Sequence, residues 1–118
     1  MLQVNIIQGD KFVMVLTLTD TEGKPVDLTG LSFLFAGKYD PIKDDTLAFT
    51  GQCEAIGNGQ LRCTIPASET GKLKNANRYE STCTVYWDIW CVEREQRIIN
   101  GIGIINTGIS YRKKRNLL

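Results

Sequence analysis

From Arg78 to Trp90 the chain alternates without a break. Tyr79, Ser81, Cys83, Val85, Trp87 and Ile89 fall on one side of an extended strand, and Glu80, Thr82, Thr84, Tyr86, Asp88 and Trp90 on the other. A period of two belongs to β-structure, because successive side chains of a strand point to opposite faces. The first set carries no charge and reads as a core face. No segment sustains the 3.6-residue period of an amphipathic helix, so helical bundles and doubly wound folds are excluded.

The same period recurs along the chain. Phe12, Met14, Leu16 and Leu18 form one face of a strand whose other face, Val13, Val15 and Thr17, is also largely apolar, which predicts a central strand. Leu31–Phe35 is a second strand, with Leu31, Phe33 and Phe35 on one face. Residues 37–45, with Pro41 and Asp44-Asp45, read as a connection, and Thr46–Glu54 as a strand. Gly57-Asn58-Gly59 tolerates positive φ and predicts a tight hairpin into the alternating run Gln60–Ile65. Pro66–Leu73 predicts a single helical turn. Glu93-Arg94-Glu95-Gln96-Arg97 is a charged turn before a last clear strand, Ile98–Ile105. Gly101 and Gly103 in that strand mark a bulge or a close backbone approach. About seven strands at this spacing predict an all-β sandwich with one short helical turn.

Length and charge narrow the function classes. A chain of 118 residues is one domain with room for a real core. The expected division is a β-sandwich over 1–109 and a basic C-terminal arm over 110–118. A net charge of +1 argues against bulk attraction to nucleic acid or membrane. No apolar run approaches 18 residues, and the Met1–Asn5 start reads as no secretory signal. Histidine is absent, which removes the usual neutral-pH base, the commonest zinc ligand and every histidine-activated nucleophile. No catalytic, metal or cofactor site is expected.

Cys53, Cys63, Cys83 and Cys91 match no zinc-knuckle spacing. They read mainly as buried free thiols; if any pair forms a disulfide, Cys53 and Cys63 come first, since they flank the predicted hairpin. The acidic group Asp40, Asp44 and Asp45 lacks the glycine and closing glutamate of a calcium loop and reads as solvated. Glu93 with Glu95, and Asp88 with Glu80, read as exposed charges rather than an acid–base pair.

Two groups of residues are candidates for an interface. Tyr86 and Trp90 sit on the polar side of the long strand, where exposed aromatics favour protein contacts. Arg112, Lys113, Lys114 and Arg115 carry the four positive charges that separate the net +1 from −3 for the rest, and Leu117-Leu118 follow them as a docking point on a neighbour. The segment Leu2–Ile7 and the strand Ile98–Ile105 are β-prone and little guarded by charge, so they are expected at unprotected sheet edges.

Four pieces of sequence carry a family resemblance: Gly9-Asp10-Lys11-Phe12 with Leu16–Asp20; Gly23–Gly30, ending Asp27-Leu28-Thr29-Gly30; Gly59–Thr70 with Leu73; and Arg78-Tyr79-Glu80 before the long strand and the Gly101 strand. In this order they resemble the immunoglobulin-like β-sandwich modules of tailed-bacteriophage virion proteins, such as the N-terminal domain of baseplate upper proteins and tail or head-decoration domains. The resemblance covers most of residues 9–105. It implies a non-enzymatic structural protein of a phage particle, assembled in the host cytoplasm. Its partners would be capsid, neck, tail or baseplate subunits and further copies of itself. A different class of function stays open on the residues alone: a carbohydrate- or receptor-binding module with Trp87, Trp90 and Tyr86 as a stacking platform. In the Asp27-Leu28-Thr29-Gly30 step, side-chain bonds to nearby N–H groups are expected, with Leu28 tucked under the sheet.

Overall fold

The computed structural model describes residues 2–73 and 82–107. Seven strands and one helical turn follow in order: β1 (Leu2–Gln8), β2 (Phe12–Thr17), β3 (Phe33–Lys38), β4 (Phe49–Gly57), β5 (Gln60–Ile65), α1 (Ala67–Thr70), β6 (Thr82–Cys91) and β7 (Gln96–Thr107). The hydrogen-bonded order is β1-β7-β6-β3-β4-β5-β2.

Strand β4 belongs to both layers. Phe49–Gly51 pair with β3, and Gln52–Gly57 pair with β5. The crossing falls at Gly51, where a Cβ would come within 2.5 Å of the Phe35 ring and 2.7 Å of the Thr64 carbonyl oxygen. Only glycine lets the strand pass between those two elements. One layer is therefore β1-β7-β6-β3 with the start of β4, and the other is β4-β5-β2. The central strands of the first layer and the β4-β5-β2 order of the second reproduce the two sheets of an immunoglobulin-like sandwich. The all-β, seven-strand expectation holds, with one departure: β1 runs parallel to β7, and the other pairings are antiparallel.

One core lies between the layers. Leu61, Cys63 and Ile65 of β5 are wholly buried, and Phe12, Met14 and Leu16 of β2 pack beside them. Facing them are Ile6, Phe35, Phe49, Val85, Trp87, Ile89 and Ile105. Phe35 is the centre of an aromatic row, edge-on to Phe49 at 5.4 Å and to Trp87 at 5.6 Å. Trp87 is thus a core residue and cannot serve a stacking platform.

The turns follow their local chemistry. Asn58 and Gly59, at φ 50° and 73°, close the β4–β5 hairpin with the two positive φ angles of the favoured two-residue turn. The Thr29 N–H donates to Asp27 Oδ1 at 3.0 Å, and Leu28 is buried beneath. The helical turn α1 is too short to stand alone. It is pinned where the Thr70 hydroxyl donates to the Asp10 carbonyl at 2.8 Å and the Gln8 amide donates to the Leu73 carbonyl at 2.8 Å.

Four expectations need correction. Strand β2 lies at one end of the order and not in its centre, so its second apolar face, Val13 and Val15, is half exposed. Strand β7 is internal, because β1 pairs along its outer side; of the two suspected edges only β1 is one. Strand β3 begins two residues late and runs through Gly37 and Lys38, which pair with Trp87 and Tyr86 where a connection was expected. Strand β4 begins at Phe49, leaving Leu47 exposed in the preceding loop. Residues 78–81 of the long alternation lie outside the described residues.

Candidate protein interface

The β1-β7-β6-β3 layer turns its second face outward, and pairing registers bring apolar residues together there. Tyr86 of β6 stands opposite Ile102 of β7, Thr84 opposite Ile104, and Trp90 opposite Leu34 of β3. Leu34 is 60% exposed and Tyr86 41%; Trp90, Ile102 and Ile104 are half-buried. These residues make an apolar ridge across three neighbouring strands. Charge enters it at Asp88, whose Oδ2 accepts from Arg97 Nε at 2.9 Å. Those two charges answer each other, and a third, Lys38, stands opposite Tyr86 with its ammonium turned to the Asp44 carbonyl. β1 extends the face with Gln3, Asn5 and Ile7, none of them charged.

A groove of about 460 Å³ opens where the 39–48 loop stands over this face, lined by Ala36, Lys38, Leu47, Tyr86, Asp88 and Asn100 among others. The loop is held by its own acidic residues. Asp40 Oδ1 accepts from the N–H groups of Ile42 and Lys43, Asp44 Oδ2 accepts from the Asp40 N–H, and Lys38 Nζ donates to the Asp44 carbonyl. These are the side-chain-to-backbone bonds of turns. Among the described residues no group of three histidine, cysteine, aspartate or glutamate side chains is placed to hold a metal ion.

The structure keeps Tyr86 and Trp90 together on one surface, as the alternation implied. Arg112, Lys113, Lys114, Arg115, Leu117 and Leu118 lie outside the described residues. Leu34, Ile102 and Ile104 were missed. Their signal was present: each lies in a strand with apolar residues on both faces, in a layer that only one other layer covers.

Among the other carboxylates, Glu93, Glu69 and Asp27 have structural partners. Both Glu93 oxygens accept from Ser32, Oε1 from its N–H at 2.6 Å and Oε2 from its hydroxyl at 2.8 Å, tying the β6–β7 turn to the entrance of β3. Glu69 accepts from the Thr50 N–H and pairs with Lys72. The Ser32 backbone bond holds Glu93 below the usual carboxylate range, the Lys72 bond does the same for Glu69, and the Thr29 N–H for Asp27. A carboxylate with a lowered folded pKa contributes stability that is complete above its unfolded value and is lost as pH falls through the folded one. The melting temperature is therefore expected to decline once pH drops below about 4.5, the ordinary glutamate value. Glu93→Gln and Glu69→Gln should each flatten that decline in a pH series of thermal melts; an unchanged acid limb in both would remove these bonds from the account.

No family model matches the chain, and no curated protein matches it. Among solved structures, one described as a site-directed photo-crosslinking study of multimeric cell-adhesive interactions of VGSC beta subunits aligns over 90% of this chain and 88% of that one. The identity is 9% and the TM-score 0.32.

Proposed function

We propose that the chain is a non-catalytic assembly module, a structural subunit of a phage particle. It joins other virion proteins through the outer face of its β1-β7-β6-β3 layer. The observation that carries the assembly reading is the apolar ridge of Leu34, Tyr86, Trp90, Ile102 and Ile104. The virion setting rests on the sequence resemblance across residues 9–105. Full burial of a large apolar side chain is worth about 1.5–3 kcal/mol, part of which ordering of the interface offsets. Tyrosine and tryptophan near the middle of such a face are the residues that usually dominate binding energy. The Asp88–Arg97 pair sets orientation more than strength. The uncharged edge of β1 adds a second contact, since an unguarded strand edge templates pairing with another chain.

The test is incorporation of variants into assembled particles, with folding checked by thermal melts. Leu34→Lys and Tyr86→Lys are expected to leave stability within about 0.5 kcal/mol, as for other exposed positions, and to reduce incorporation at least tenfold. Val15→Lys, on β2 of the other layer and 49% exposed, is the matched control and should incorporate normally. Normal incorporation of both ridge variants would overturn the proposal. The carbohydrate-binding alternative keeps Tyr86 and Trp90 but loses Trp87 to the core; glycan binding abolished by Tyr86→Ala would replace the assembly reading with it.

A further inference from the structure

We propose that Cys53 and Cys63 form an oxidisable pair, a dithiol that closes to an intramolecular disulfide when the protein meets a disulfide oxidant such as oxidised glutathione. The inference does not depend on the assembly reading. Cys53 on β4 and Cys63 on β5 are direct partners in the antiparallel register, and their sulfurs lie 3.7 Å apart. Directly opposed residues of an antiparallel pair have Cα atoms about 4.5 or 5.5 Å apart, and both spacings fall inside the range a disulfide spans. Bond formation needs the sulfurs to close by roughly 1.7 Å, within reach of side-chain torsion without strand movement. Cys83 and Cys91 are no such pair. They stand eight residues apart on β6, roughly 26 Å along an extended strand.

The two thiols are unequal, which assigns the order of events. Cys63 is wholly buried, whereas Cys53 is partly open to solvent. With both thiols protonated the Cys53 S–H donates to the Cys63 sulfur and the Cys63 S–H to the Leu61 carbonyl. Once Cys53 ionises, the Cys63 thiol beside it stabilises the thiolate, which lowers the Cys53 pKa and raises that of Cys63. Cys53 is therefore the attacking thiolate. It bonds to one sulfur of oxidised glutathione and expels the other half as glutathione thiolate. That thiolate takes the Cys63 proton, and the Cys63 sulfur attacks Cys53 of the mixed disulfide and expels the second glutathione. In sum, two protein thiols are oxidised to one disulfide and one oxidised glutathione is reduced to two glutathiones. The bridge closes the hairpin around Asn58-Gly59 in the second layer, just beyond the Gly51 crossing, and limits how far that hairpin can open in the unfolded chain.

The full chain should be equilibrated with oxidised glutathione, denatured without reductant, alkylated and weighed. The expected result is two labelled thiols in place of four, a peptide linking Cys53 to Cys63, and a melting temperature raised by about 5 °C that a dithiol reductant reverses. Cys63→Ser should trap a stable glutathione adduct on Cys53, and Cys53→Ser should leave its three thiols free. Cys63→Ala replaces Cys63→Ser if the buried hydroxyl prevents folding. Four labelled thiols at every glutathione ratio, a link to Cys83 or Cys91, or a link between chains would each overturn the assignment.

Discussion

Phe35→Ala will lower the unfolding free energy by about 3–5 kcal/mol. Phe35 is 3% exposed and stands between Phe49 and Trp87, in edge contact with both rings. Truncation removes its own buried area, leaves a cavity, and strips each neighbour of an aromatic contact worth about 0.5–1.5 kcal/mol. Phe35→Leu keeps most of the volume and should cost about 1.5 kcal/mol or somewhat more. Leu34→Ala, one residue away on the outer face, should change stability by less than about 0.5 kcal/mol. Urea unfolding with a common slope measures all three. A loss for Phe35→Ala no greater than that for Leu34→Ala would mean that the aromatic row does not hold the two layers together.

Gly101→Ala is expected to cost about 2–3 kcal/mol, and Gly103→Ala about 1 kcal/mol or less, although both glycines lie on β7 facing inward. The difference lies in what a methyl group meets. At Gly101 it would run into the backbone carbonyl of Leu2 on β1 and come within 2.5 Å of the Trp87 ring. At Gly103 it would meet the tips of Ile6 and Val85 at 3.0 Å, and those can rotate away. The carbonyl cannot yield without moving β1, so the Gly101 variant should also lose hydrogen-exchange protection in β1 before the rest of the sheet. Equal losses for the two variants, or intact β1 protection in the first, would show that β1 is not packed as described. The cost also bears on assembly, because β1 supplies the free edge and one flank of the outer face.

Much of this architecture can be read from the residues in order. Period-two alternation dictates strands because only an extended backbone sends neighbours to opposite faces, and Val85, Trp87 and Ile89 are buried as that pattern requires. Asn58-Gly59 dictates its turn because few other residues adopt positive φ twice in succession. The Asp27–Thr29 bond and the opposition of Cys53 and Cys63 follow from the same local rules. All of these depend on contacts close in sequence.

What lay beyond local rules was decided by neighbours distant in the chain. Nothing near Val13 or Val15 says that β2 ends the strand order, and nothing near Ile98–Ile105 says that the first strand of the chain will cover that edge in parallel. Gly51 is an ordinary glycine until β4 must pass between the Phe35 ring and the Thr64 carbonyl. The ridge is of the same kind. Tyr86 and Trp90 stand out on their own strand, but Leu34, Ile102 and Ile104 become a surface only when the register sets three strands side by side. Alternation determines which residues share a face of one strand; pairing between strands determines which faces join and which are left for a partner.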